Sequence, residues 1–393
     1  MKAVGVIAEF NPFHRGHARL IQEAKKQSEA GIAVTVMSGW FTQRGEPAVM
    51  PPSDRARMAL SAGADCVFLL PALWSVRDAE HFALGGVSML DSLGCDAIAF
   101  GAETDDLPMM QSVAALLEEE PAAFREALHG FLGKGLAHPS AVSASVSLMI
   151  PGADDLLRRP NNTLAVCYLR ALHRLRSGMK PILIRRDSDY HALSLQADDP
   201  SASAIRLAMR EHRTEEAAAA IPEACRSAFL EAVRLGNTLF PESLDSALRY
   251  RLLSMTEEEW RSLPGLSEGL QHRLHSAARA CTTREAMLAK CRTKRYPEAR
   301  IARLMAHVLL RITQSDLDAK PLPTEAILLG LTGNALPFLR RTAEKGFPVC
   351  GKASDWIHLS EPWSKAEILA GDLWALGCGL PSGQAVTHPV IHA

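Results

Sequence analysis

No run of apolar residues in the sequence approaches the ~18 needed to cross a bilayer, so a membrane span is not expected. Eight cysteines are present (Cys66, Cys95, Cys167, Cys225, Cys281, Cys291, Cys350 and Cys378), yet no two form a C-x-x-C pair. That spacing argues against a disulfide framework or a zinc site and fits reduced thiols. The first residues lack the basic stretch and apolar core of a secretory signal, because the apolar start runs straight into Glu9. A cytoplasmic protein is therefore expected. Nor is charge of one sign in excess: 43 Lys and Arg face 44 Asp and Glu, a net charge of -1. This excludes a globally basic nucleic-acid binder but leaves room for a local basic face. Internal repeats and low-complexity tracts are also missing.

What is present is an alternation of short apolar runs with helix-period segments. Strands are expected over Ala3–Ala8, 32–37, Cys66–Leu70, 97–100 and 181–185. Helices are expected over 16–27, 53–62, Ala79–Leu93, 107–150, 161–177 and 204–212. Continuous rather than alternating apolar strands, separated by helices, indicate an α/β fold with a parallel sheet covered on both faces. From about residue 214 helical patterns dominate, broken at Pro222, Pro241, Pro264 and Pro297, with one strand-like run at Ala326–Leu331 and a last helix over 364–376. The expected division is a domain of residues 1–213 and a mainly helical domain of residues 214–393.

The turn after the first strand carries the chemistry. Glu9-Phe10-Asn11-Pro12-Phe13-His14-Arg15-Gly16-His17 leaves that strand and opens the first helix. Ligands of open parallel sheets sit beyond the carboxyl ends of the strands, so the turn lies where a ligand is expected. Two imidazoles flank a glycine that permits close backbone approach, above a helix N-terminus with unpaired N–H groups. Such a turn suits a phosphate chain. An isolated H-x-G-H also serves merely to cap a helix; the strand, turn and helix around this one favour the ligand. A zinc reading is weaker, since no third ligand stands at a suitable spacing, and no metal set is expected. Further on, Ser201-Ala202-Ser203-Ala204-Ile205-Arg206 opens another helix, where Ser201, Ser203 and Arg206 suit a β,γ-phosphate pair and departing pyrophosphate. Alone it reads as a capping segment; with the histidine turn it reads as the second half of a phosphate site.

At these residues the sequence resembles the nucleotidylyltransferase superfamily, whose marks are an H-x-G-H turn and a later serine-rich helix start with arginine. More narrowly, it is similar to the bacterial tRNA-Met cytidine acetate ligases. The likeness is carried by Val6-Ile7-Ala8-Glu9-Phe10-Asn11-Pro12-Phe13-His14, Ser38-Gly39-Trp40-Phe41-Thr42-Gln43-Arg44-Gly45-Glu46-Pro47-Ala48, Ala79-Glu80-His81-Phe82-Ala83, Phe100-Gly101-Ala102-Glu103 and Arg159-Pro160-Asn161-Asn162. The resemblance implies a Rossmann-like sheet of the nucleotidylyltransferase type. It implies an ATP-dependent ligase that makes acetyl-adenylate from acetate and acetylates the wobble cytidine of elongator tRNA-Met. ATP, with Mg²⁺, would lie along Ile7, Ala8, Glu9, Phe10, Asn11, Pro12, Phe13, His14, Arg15, Gly16, His17, Ala18, Arg19 and Leu20. It would rest against Gly101, with Asn161, Asn162, Arg186, Ser201 and Ser203 completing the pocket. His14, His17 and Arg206 would be catalytic. Two departures stand out: the family usually has Asn where Trp40 stands and Lys where Pro52 stands.

A basic cluster, Arg284, Lys290, Arg292, Lys294, Arg295, Arg300, Arg303 and Arg311, surrounds Tyr296. It reads either as a solvated helix face or as an RNA contact with the aromatic ring available for stacking; the resemblance favours tRNA at Arg292, Lys294 and Arg295. Arg44 and Glu46 belong either to a loop beside the site or to a surface ion pair. The alternatives are a small-molecule adenylyltransferase of cofactor biosynthesis, a non-catalytic RNA-binding protein and, less favoured, an acetyl-CoA-dependent acetyltransferase.

Overall fold

The structure is a computed structural model and describes residues 1–186, 195, 200–267, 269–356, 361–387 and 389–393. Five strands, β1 (Ala3–Ala8), β2 (Ile32–Ser38), β3 (Cys66–Leu70), β4 (Ala97–Ala102) and β5 (Lys180–Arg185), lie parallel in the order β5-β4-β1-β2-β3. Helices α1 (Arg15–Ser28), α2 (Pro52–Ser61), α3 (Ala79–Leu93), α4 (Pro160–Leu175) and α5 (Ala202–Arg210) connect or follow them. The continuous apolar runs follow from burial on both faces. In β1, Ala3 and Ile7 join one core with Val87 and Leu90 of α3, while Val4 and Val6 join another with Ile21 of α1. Gly5 is needed between them: a Cβ there would meet Leu90 Cδ1 at 2.5 Å.

The segment expected as one helical stretch over 107–150 is three helices, Leu107–Glu119, Ala122–Gly133 and His138–Met149. Pro121 ends the first, and Gly135, at φ +83°, turns the chain between the second and third. From 214 to 319 the chain is helical, and then β6 (Ala326–Leu331) returns to the sheet antiparallel to β3. Two-residue strands β7 (Val349–Cys350) and β8 (Ile391–His392) pair parallel to β6. The sheet is thus parallel through β1 to β5 and mixed at its far edge, a common finish for a doubly wound fold. The helical half also grips the loops leaving β2 and β3. In α7 (Pro362–Cys378), which follows α6 (Glu298–Leu310), Trp374 Nε1 donates to the Ala48 carbonyl at 2.7 Å and Glu367 accepts from the Ala72 N–H at 2.7 Å.

Candidate active site

Strand order reverses between β1 and β4: the chain leaves β1 toward β2 on one side, and β4 lies on the other. The crevice at the carboxyl ends of these two strands is the topological switch point. Phe10, at φ +48°, turns the chain out of β1, and His14 becomes the N-cap of α1. Arg55 holds the crevice wall. Its guanidinium, fully buried, donates to the carbonyls of Met50 at 2.9 Å, Glu9 at 2.6 Å, Ser38 at 3.0 Å and Gly39. It thereby ties the exits of β1 and β2 together. Burial lowers it to about 10, opposed by Glu9, Glu367 and Asp54, so it remains a cation at neutral pH. The sequence signal was one arginine on the buried face of α2, beside Ala56 and Ala59.

The two histidines do cap the helix, and the way they do so fixes their protons. Nδ1 of His14 accepts the Gly16 N–H at 3.1 Å, and Nδ1 of His17 accepts the His14 N–H at 3.3 Å. With both Nδ1 atoms acting as acceptors, the proton of each neutral ring sits on Nε2. The ring centroids are 3.8 Å apart. Neutrality follows from the surroundings. Burial first, then Arg186, Arg206 and Arg15, lower His14 to about 3. Burial, His14 and Arg186 hold His17 well below the ordinary value. The site therefore offers two uncharged Nε2–H donors, and its positive charge comes from arginine. On α6, His307 behaves similarly, lowered to about 4 chiefly by burial. Histidines that stay neutral in the folded state but protonate when unfolded destabilise the fold as the pH drops below 6.5, their ordinary value. The melting temperature is expected to fall between about pH 7 and pH 5; a flat profile by calorimetry would contradict these protonation states.

The second motif meets the first. Ser201 caps α5 by accepting the Ala204 N–H at 3.1 Å, which turns Ser203 and Arg206 toward the first turn. Arg206 donates to the Asn11 carbonyl at 2.7 Å, across 195 residues of sequence, and to the neighbouring Ser203 Oγ at 3.2 Å. Ile7, Ala8, Glu9, Phe10, Asn11, His14, His17, Leu20, Gly101, Asn161, Arg186, Ser201, Ser203 and Arg206 line one cavity of about 250 Å³. Arg186 reaches it from the end of β5 and crosses the face of Gly101, where a Cβ would lie 2.7 Å from Arg186 Cδ. A Gly101→Ala change should therefore displace Arg186 without disturbing the core. The expected result is a roughly tenfold weaker apparent affinity for ATP, about 1.4 kcal/mol, with little change in melting temperature.

Other expected residues stand beside the cavity rather than on it. Pro12, Phe13, Arg15, Gly16, Ala18, Arg19 and Asn162 do not line it, although Gly16 and Arg19 border an adjoining cleft with Arg186. Phe13 and Ala18 are buried in the core around α1. Asn162 is buried and clasps Glu103: its Oδ1 accepts the Glu103 N–H at 2.8 Å, while the Glu103 carboxylate accepts the Asn161 and Asn162 N–H groups at the start of α4. Sequence reasoning missed Phe82, Phe100, Leu164 and Tyr168, which give the cavity an apolar wall. They sit on strands and helices whose patterns announce only core. Arg44 and Glu46 line the cavity too, and Glu46 pairs with the largely buried Arg284 at 3.4 Å. The loop thus stands beside the cavity, and the ion pair it makes is part-buried rather than on the surface. Glu9 is half-buried, accepts the Gln43 N–H at 2.6 Å and is raised above the ordinary carboxyl value chiefly by desolvation.

The basic cluster is spread over several environments. Lys294 and Arg295 line a large groove, whereas Arg292 pairs with Glu298 at 3.4 Å on the surface. Tyr296 is not available to stack on a base: it is 5% exposed, with Arg295 and Arg300 over its ring. Trp40 and Pro52 face neither cavity nor groove. Trp40 packs on Trp374 at 5.4 Å between ring centroids, Pro52 sits in the first turn of α2, where its missing N–H costs nothing, and both line a small void of about 40 Å³. No helix among the described residues is long and apolar enough to cross a membrane.

A family model described as HIGH Nucleotidyl Transferase matches residues 1–380. The tRNA(Met) cytidine acetate ligase of Bacillus velezensis is 36% identical over 393 residues, covering 97% of this chain and 94% of that protein. The tRNA(Met) cytidine acetate ligase of Acetivibrio thermocellus is 34% identical and covers all of both chains. Among solved structures, apo Thermotoga maritima TmcAL superposes with a TM-score of 0.91 at 27% identity over the whole of both chains. The same protein bound with alpha-thio ATP superposes with a TM-score of 0.88 at the same identity and coverage. With its histidine turn and serine-rich helix start closing on one cavity, the chain belongs to the HIGH nucleotidyl transferase family, among the tRNA(Met) cytidine acetate ligases.

Proposed function

We propose that this protein activates acetate with ATP as acetyl-adenylate and acetylates N4 of the wobble cytidine of elongator tRNA-Met. The observation that carries this reading is the convergence of His14, His17, Arg186 and Arg206 on one cavity. Acetate is an anion at neutral pH and needs no general base. Its oxygen bonds to the α-phosphorus as the bond to the bridging oxygen breaks and pyrophosphate leaves. The charge that accumulates is met by two guanidinium groups and two preorganised Nε2–H donors, so positioning and electrostatics supply the rate. In the second step the cytosine amine attacks the acetyl carbonyl, AMP leaves and N4 loses one proton. Delocalisation makes that amine a poor nucleophile, which is why an anhydride is needed. Among the described residues no cysteine lines the cavity, consistent with direct transfer.

Mg²⁺ accompanies the triphosphate as part of the substrate. Among the described residues no cluster of His, Cys, Asp or Glu stands ready to hold a metal, and Glu9 and Glu103 are engaged with backbone N–H groups, so phosphate oxygens and water would supply its ligands. Residues 1–213 carry the adenylate chemistry and residues 214–393 contribute tRNA contacts, among them Arg292, Lys294 and Arg295, in the cytoplasm. The names of the relatives and the alpha-thio ATP complex of the Thermotoga maritima protein support this reading. The test is incubation with ATP, labelled acetate and total tRNA. Acetylated cytidine in tRNA-Met and acetate-dependent ATP–pyrophosphate exchange are expected. Exchange that instead requires a phosphorylated cofactor precursor would make the protein a small-molecule adenylyltransferase, and no ATP turnover at all would leave an RNA-binding protein.

A further inference from the structure

A groove of about 1050 Å³ opens beside the nucleotide cavity, between the start of α3 and the first turns of α6. Residues 77–82 form the divide between the two. Arg77, Asp78 and His81 line the groove, while Ala79 and Phe82 line the nucleotide cavity. Among the described residues, five cations line the groove, Arg77, Lys294, Arg295, Arg300 and Arg303, against one carboxylate, Asp78. That carboxylate is already engaged, at 2.9 Å from His81 Nδ1 and accepting the His81 N–H at 3.0 Å.

Arg77 and Arg303 are the unusual members. Each is only partly exposed, and among the described residues neither side chain makes a hydrogen bond or a close ion pair, although Asp78 attracts both and Asp318 attracts Arg77 at longer range. Burial lowers both from the ordinary arginine value, and Arg300 beside Arg303 adds to the effect there. At the groove wall between them, His307 Nε2 meets the Val76 carbonyl at 2.7 Å, and its buried Nδ1 has no partner. Partly desolvated cations whose guanidinium N–H groups lack acceptors are costly, and such groups concentrate where a ligand completes them.

We infer that this groove holds the phosphates flanking the reacting nucleotide of the RNA substrate, with Arg77 and Arg303 as their principal contacts and the base passing over Ala79 into the nucleotide cavity. The inference rests on the acetyl-transfer reading and extends it from the adenylate to the polynucleotide. A base that reacts in the cavity stays attached to a ribose with a phosphate on either side. Those phosphates must lie at the rim of the cavity, and Arg77, in the rim formed by residues 77–82, shares the groove with Arg303 of α6. Phosphate contacts position a nucleic acid without reading its sequence, so the groove sets where the base enters rather than which tRNA is chosen.

The test uses the full chain and elongator tRNA-Met, with Arg77→Ala, Arg303→Ala and the double variant. Binding is titrated at several salt concentrations, with acetate-dependent ATP–pyrophosphate exchange measured in parallel because it needs no RNA. Each single change is expected to weaken tRNA binding about tenfold and to lower the slope of log affinity against log salt by about 1. If the alanine variants lose their fold, Arg77→Lys and Arg303→Lys take their place; keeping the point charge but losing the planar fork, they should retain the salt slope with weaker binding. Unchanged affinity and slope in a double variant with intact exchange would overturn the inference, as would occupancy by an acidic protein segment, which leaves both values untouched. Exchange that is absent in the unmodified protein would sink the acetyl-transfer reading instead, while the binding titration would still decide the groove.

Discussion

Alanine at His14 or His17 will lower acetate-dependent ATP–pyrophosphate exchange by about 10²- to 10³-fold, the usual effect of removing one preorganised donor from a developing oxyanion. Each ring is neutral and holds its proton on Nε2, because its Nδ1 is occupied by a backbone N–H of the helix start. The loss is therefore a loss of directed N–H, not of charge. Because such donors act most strongly on the charge of the transition state, kcat should fall while KM for ATP changes little. His14→Ala also removes a helix cap, which costs about 1 kcal/mol of stability. Asparagine at position 14 separates the two roles: its carbonyl oxygen can accept the Gly16 N–H and restore the melting temperature, while exchange stays low. With His14 lowered to about 3, no histidine inflection is expected in the kcat profile between about pH 5 and 8. A His14→Ala enzyme exchanging at the unmodified rate would remove this residue from the chemistry.

Much of the sheet could be read because burial on both faces writes itself plainly into a sequence: β1 and β3 are unbroken apolar runs, and β2 is interrupted only by Thr35 before it ends at Ser38. The strands that went unread, β7 and β8, have two residues each and carry no pattern at all. That β6 returns to pair antiparallel with β3 is a matter of long-range packing, beyond the reach of local periodicity. At the site, His14, His17, Ser201 and Arg206 were legible because each sits where a strand or helix end exposes backbone groups. The apolar wall of Phe82, Phe100 and Tyr168 was not, since an aromatic beside a ligand and an aromatic in a core have the same spacing. Arg55 lay hidden for the opposite reason: nothing local says that four carbonyls from the exits of two strands will converge on one guanidinium. Tyr296 misled, because a ring amid arginines invites a stacking role, yet those arginines cover it.

Arg206→Ala should abolish exchange more severely than either histidine change, by about 10³-fold, because one side chain performs two tasks. Its guanidinium binds the Asn11 carbonyl at 2.7 Å, fixing α5 to the turn that carries the histidines. It also lines the cavity with a full positive charge, alongside Arg186. Lysine can supply the charge but not the geometry. Five donors in a planar fork can hold Asn11, Ser203 and a phosphate oxygen at once, whereas an ammonium on a flexible stem must choose. Arg206→Lys should consequently recover at most about tenfold of the lost rate, and KM for ATP should rise as well as kcat fall. The tether alone would make the opposite pattern: a drop in melting temperature worth about 1–3 kcal/mol, the cost of leaving a buried acceptor unpaired, with exchange near normal in whatever remains folded. If Arg206→Ala is folded and exchanges ATP at the unmodified rate, the serine-rich helix start is scaffold, and the leaving pyrophosphate must be met by Arg186 alone.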